Sequence, residues 1–135
     1  MSKPFFDANV VLYLNDSRDH WRLISRNLIQ AGGVISVQVL NETTRTLRQP
    51  KFGYRWDEVN TFLEGIRAKC DVVPLTVETH ERAIAYAERY QLAIFDANIV
   101  SAAVIAGCAT LYSEDMHNGM VIDGLTIRNP FAAGR

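Results

Sequence analysis

Cysteine is scarce in this chain of 135 residues: it holds two, Cys70 and Cys108, neither with another Cys or a His at a metal-binding spacing. That argues against a disulfide framework and a structural zinc centre, and leaves two buried, reduced thiols as the expected reading. The histidines, His20, His80 and His117, are scattered without ligand spacing. An excess of charge of one sign is missing too. A formal net charge of −1 gives no global basic field to draw in nucleic acid, so any such contact must come from a local patch. No apolar run approaches the roughly 18–20 residues needed to cross a bilayer. The start, Met1-Ser2-Lys3-Pro4, lacks a signal-peptide pattern. A cytoplasmic protein with no membrane segment is therefore expected. Linkers, low-complexity tracts and internal repeats are absent as well, so residues 1–135 read as one domain. What is present is 48% hydrophobic residues, enough for an ordinary core.

Hydrophobic patterning divides the chain into alternating strands and helices. Residues 4–7 read as a short strand, and Ala8 to Leu14 as a helix. Asp16 to Ala31 is helical, capped by Asp16 or Ser17 and stopped by Gly32-Gly33. Val34 to Val37 is a second strand. A polar helix follows from Gln38 to Gln49 and ends at Pro50. Asp57 to Lys69 is another helix, with Val59, Phe62, Leu63 and Ile66 facing inward. Asp71 to Leu75 is β-rich. Thr76 caps a helix through Tyr90, with Ala83, Ile84 and Ala87 expected inside. Asp96 to Ala106 is a helix of small and apolar residues closed by Gly107, and strands follow at 109–112 and 125–128. The alternation implies a mostly parallel sheet, and hence a three-layer α/β/α domain.

Four acids follow apolar runs in this scheme: Asp7, Glu42, Asp96 and Asp115. Residues just beyond strands line one rim of an open α/β sheet, where ligands bind. Carboxylates gathered there repel one another; at roughly 4 Å and an effective dielectric near 20, each pair costs about 4 kcal/mol. A hard divalent cation with oxygen ligands, Mg²⁺ or Mn²⁺, is the natural counter-charge. Taken singly, each acid has a plainer role. Asp7 and Asp96 could be N-caps, Glu42 could sit on a solvated helix face, and Asp115 falls in a turn. Their joint placement favours a site, with Glu42 reaching back to the rim from one turn into its helix. Asn9 and Ser113 flank the acids and could bond a carboxylate, a metal-bound water or a phosphate.

The segments Phe5-Phe6-Asp7-Ala8-Asn9-Val10 and Val37-Gln38-Val39-Leu40-Asn41-Glu42 resemble the first two motifs of PIN-domain ribonucleases. Phe95-Asp96-Ala97 through Ala106-Gly107-Cys108 is similar to the third. Leu111-Tyr112-Ser113-Glu114-Asp115-Met116, with Gly119 and Asn129-Pro130-Phe131, is similar to the last acidic motif and tail. The resemblance spans essentially the whole chain, and within the family it is closest to VapC-type toxins of prokaryotic toxin–antitoxin pairs. It implies a Mg²⁺- or Mn²⁺-dependent endoribonuclease, usually a homodimer, inhibited by a small cognate antitoxin. It also implies catalytic roles for Asp7, Glu42, Asp96 and Asp115. Asp7 and Asp96 fall on the positions usually given as metal ligands, with Asp115 completing the set directly or through water. Asn98 departs from the pattern, standing where an aliphatic residue is frequent; it either adds a polar contact near the site or faces solvent.

Arg45, Arg48, Lys51 and Arg55 are interleaved with Phe52, Tyr54 and Trp56, and no acid stands among them. Cations for phosphates and rings for unstacked bases suit RNA, and Arg45 and Arg48 are the expected substrate contacts. The same composition suits a protein interface, or a solvated loop with partly buried rings. Arg18, Arg22 and Arg26 form a helical stripe that reads as a solvated face. Rival phosphoryl-transfer sites lack their residues: one acid, not two, follows the first strand, and no Lys follows Leu111. A catalytically silent RNA- or protein-binding module, or a PIN nuclease of RNA processing, remains the competing reading.

Overall fold

The structure is a computed structural model that describes residues 2–132; Met1 and residues 133–135 of the expected domain lie outside the described residues. Its strands are short: β1 (Phe5–Phe6), β2 (Gly33–Ser36), β3 (Cys70–Val73), β4 (Thr110–Tyr112), β5 (Val121–Ile122) and β6 (Leu125–Arg128). They make one sheet in the order β3-β2-β1-β4-β6-β5. All neighbours are parallel except β5 and β6. Every residue of β1 and β2 is buried, as expected for central parallel strands covered on both faces. The expected α/β architecture with a mostly parallel sheet is therefore present, and β5 is an addition that its two-residue length hid from the sequence pattern.

The helices are α1 (Ala8–Leu12), α2 (Asp19–Ala31), α3 (Val37–Leu47), α4 (Trp56–Lys69), α5 (Val77–Tyr90) and α6 (Ile94–Ile105). Among the described residues none is long and apolar enough to cross a membrane. Ser36 caps α3 and Thr76 caps α5 through the amides of Val39 and Thr79, satisfying donors that the first helical turn leaves free. The cap of α2 is Arg18, not Asp16 or Ser17. Asp16 instead accepts the amide and guanidinium of Arg18, which holds its carboxyl down at about 2.

Helix α6 starts at Ile94, with Ala93 as its cap, so Asp96 is not the N-cap but the third helical residue. A continuous run from Ala97 to Ala103 is buried. Apolar character all round is what a central helix needs, and its small side chains allow close packing. Ile84 of α5, expected inside, is 51% exposed; Ala83 and Tyr86 carry the inner face instead. Gly32 and Gly33, read together as a helix stop, separate into two jobs. Gly32 ends α2 at φ +94°, and Gly33 is the first residue of β2. Both cysteines are buried free thiols.

Candidate active site

The sheet order sets the location. From β1 the chain runs outward through β2 and β3, then crosses to β4 on the other side of β1. The C-terminal ends of β1 and β4 thus form the switch point where parallel α/β sheets hold ligands. Asp7 is the residue after β1, and Asp115 stands three residues after β4. Glu42 is the sixth residue of α3, and Asp96 enters from the first turn of α6. All four line one open cavity of about 300 Å³, together with Ala8, Asn9, Leu12, Arg45, Thr46 and Gln49.

Asp7 is the buried member. It caps α1, its Oδ1 accepting from Ala8 N at 2.7 Å, and its Oδ2 accepts the Ser113 hydroxyl at 2.8 Å. These bonds favour the ionised form, yet burial outweighs them. The carboxyl is pushed up to about 6, with Asp96 and Asp115 adding repulsion. Glu42 is raised to about 7 by burial first and the charge of Asp7 second. Asp96 is raised by burial and by Asp115. Asn9 braces the exposed acid, its Nδ2 donating to Asp115 Oδ2 at 3.1 Å while its Oδ1 accepts Glu114 N at 3.3 Å.

Four acids therefore meet a single arginine, Arg45, in the lining of this cavity. Among the described residues, no three acidic, His or Cys side chains are drawn in tightly enough to hold an ion as they stand. The four acids nevertheless share one open cavity. An all-oxygen donor set with raised proton affinity fits Mg²⁺ or Mn²⁺.

Of the supporting residues expected from the sequence, Asn9 and Arg45 line the cavity, and Ser113 touches Asp7 from behind it. Arg48 does not line it; it lies over Trp56. Thr46 and Gln49 were missed. They follow Glu42 at i+4 and i+7, so the helical period alone places them on its face. Asn98 is buried rather than solvent-facing, and its Oδ1 has no partner among the described residues. The arginine stripe is the solvated face expected, with Arg18 and Arg22 paired to Asp16 and Asp19.

Comparison with known proteins supplies the context. The chain is similar in fold to a toxin–antitoxin complex from Klebsiella pneumoniae, with TM-score 0.71, 17% identity, and 94% of this chain and 97% of that one covered. It is similar to DNA-bound VapBC of Salmonella typhimurium, at TM-score 0.69 and 18% identity, covering 96% and 99%. A third match is VapC20 of Mycobacterium tuberculosis, a sarcin–ricin loop cleaving toxin, at TM-score 0.67 and 20% identity, covering 83% and 89%. No curated protein resembles the sequence closely enough to count as a relative. The model of the PIN domain matches residues 5–117, from the start of β1 to just past Asp115. With that span matched and the sheet ordered as described, the chain belongs to the PIN domain family.

Proposed function

We propose that this protein is a Mg²⁺- or Mn²⁺-dependent endoribonuclease that hydrolyses RNA phosphodiester bonds, and that it is the toxin of a type II toxin–antitoxin pair. The observation that carries the reading is the convergence of four acids from β1, α3, α6 and the β4 loop on one open cavity. A cytoplasmic homodimer held in check by a small cognate antitoxin follows from the likeness to toxin–antitoxin complexes and remains part of the same reading.

Asp7, Asp96 and Asp115 are the residues that would hold the cation. When bound, the ion supplies Lewis acidity toward a phosphate oxygen and lowers the pKa of a coordinated water. The protein's own groups account for the rest. Glu42, at the wall of the same cavity, accepts the proton of the attacking water as general base. Ser113 fixes the rotamer of Asp7 and Asn9 that of Asp115, so neither carboxylate must be ordered during reaction. Arg45 at the cavity wall offers a guanidinium to the incoming phosphate.

Cleavage of total RNA, followed with Mg²⁺, with Mn²⁺ and with EDTA, tests the proposal on the wild type and Asp7→Asn. Cutting that needs the metal and disappears in the folded variant is expected. Undiminished cutting by Asp7→Asn eliminates the scheme. Mapping the cut sites after brief induction would identify the RNA target.

A further inference from the structure

Three aromatic rings lie between the end of α3 and the start of α4, and the fold treats them differently. Phe52 and Tyr54 are partly buried against Leu47, Val59 and Leu63, and the Tyr54 hydroxyl bonds Asn15. Trp56, the first residue of α4, is 63% exposed. One face of its indole is covered by Arg48, whose guanidinium carbon lies 4.4 Å from the ring centroid. Arg48 is fixed in turn by donating from Nη1 to the Tyr54 carbonyl at 2.9 Å. Among the described residues, no carboxylate pairs with Arg45, Arg48 or Lys51, whereas Arg55 is taken up by Asp57 and Glu58. The result is a flat ring-on-guanidinium surface with free positive charge beside it.

Its position relative to the acids follows from the helix. Glu42, Arg45 and Arg48, the last being the C-cap of α3, succeed one another at three-residue steps, so Arg48 stands about 9 Å along the axis from Glu42 and about 120° round it. Arg45, between them, lines the cavity. Neighbours three residues apart touch on a helix surface, so these side chains mark a path that curves out of the cavity past Arg45 to Arg48 and the ring it covers.

Resting on the nuclease reading above, we infer that Arg48 and Trp56 form a stacking platform for an unpaired base next to the scissile phosphate. Every base has a π-face that such a surface can take up, while a duplex keeps its bases stacked inside and its grooves closed to the ring. Unpaired cations leading out of an acidic cavity favour a polyanion over an apolar protein segment as the occupant.

The test uses the full chain carrying Asp7→Asn, so that RNA is bound without being cut, and Trp21→Phe, so that Trp56 is the remaining tryptophan. Trp21 Nε1 has no partner among the described residues, so the second change removes no hydrogen bond, and Phe keeps a ring under the Arg18 guanidinium that lies 4.3 Å from the indole centroid. Titration of an octamer of A in Mg²⁺ is expected to quench Trp56 emission. Trp56→Ala, monitored by octamer anisotropy, is expected to weaken binding by about 5- to 150-fold, and Trp56→Tyr to recover most of it. A blunt RNA duplex should show no such dependence. Unchanged emission, equal affinity of Trp56→Ala, or an equal loss for the duplex overturns the platform. So does a Trp56 response to a co-purifying small protein but not to RNA. The two readings fail separately. Octamer binding at Trp56 by a chain with Asp7 intact that never cleaves sinks the nuclease and leaves the platform. Cleavage with a KM indifferent to Trp56 sinks the platform and leaves the nuclease.

Discussion

Asp7 holds two helpful hydrogen bonds and still resists ionisation. Its folded value of about 6 stands above the ordinary 3.8, so between roughly pH 4 and pH 6 the folded chain binds a proton that the unfolded chain has released. Stability without metal must then fall as pH rises through that window. Glu42, raised from 4.5 to about 7, extends the fall toward neutrality. Denaturation in EDTA is expected to show the protein less stable at pH 7.5 than at pH 4.5, by an amount on the order of 2 kcal/mol for Asp7. Asp7→Asn, which removes one titration and the repulsion it exerts on Glu42, should make the slope shallower and leave the share that burial of Glu42 contributes. A wild-type profile that is flat or rises over this range refutes the assignment. Asp16 does not confound the measurement, because its lowered value near 2 confines its contribution to more acid conditions.

At this scale the sequence was informative where chemistry repeats and silent where orientation decides. The four acids, Asn9 and Ser113 could be picked out because each follows or flanks an apolar run, and Arg45 because it opens a basic segment interleaved with aromatic rings. Arg48 could not be separated from Arg45, since both are arginines on one helix three residues apart. Ile84 was placed inside by periodicity, but α5 turns Ala83 and Tyr86 inward and leaves the isoleucine on its outer face.

Among the elements, β1 and β2 depend on one glycine for a reason unrelated to backbone freedom. A Cβ on Gly33 would lie 2.3 Å from Phe6 Cε2 and 2.8 Å from the carbonyl oxygen of Pro4. Phe6 is fully buried, and Pro4 O accepts the Val34 amide at 2.8 Å, so neither neighbour can withdraw freely. Gly33→Ala is expected to destabilise by about 1–3 kcal/mol or more, as overpacked cores do, read as a lower urea midpoint with an unchanged slope. Gly32→Ala would be strained instead by its φ of +94°. A stability equal to wild type for Gly33→Ala would show that the strand pair has slack. Composition marks the pair Gly32-Gly33 as a stop, but the crowding behind the second glycine depends on a ring contributed from the neighbouring strand. Likewise the start of α6 at Ile94 was obscured because Asp96 looks like a cap; Ala93 serves there without a side-chain bond.

For the molecule as a whole, the fold gathers four acids against one arginine, Arg45, in the lining of the cavity, so a divalent cation should stabilise the native state rather than merely switch on chemistry. Mg²⁺ at about 100 times its dissociation constant is expected to add about 2.7 kcal/mol at neutral pH. The gain should shrink toward pH 4.5, where protons already neutralise the acids, and in Asp7→Asn. Thermal denaturation across a Mg²⁺ titration at both pH values checks this; equal stability with and without the ion would remove the metal from the scheme. The class of fold was readable because alternating strands and helices permit few arrangements. The crossing from β3 to β4 that creates the switch point was not, because strand order is set by contacts between distant parts of the chain.

The cavity draws its walls from residue 7 and from residue 115, with nearly the whole polypeptide between them. A chain made only as far as the residues before Asp115 therefore lacks the assembled cavity. If the protein is the nuclease proposed above, cutting waits until the loop that carries Asp115 has been made and has met the first strand, and an inhibitor need intercept only chains that have passed that point.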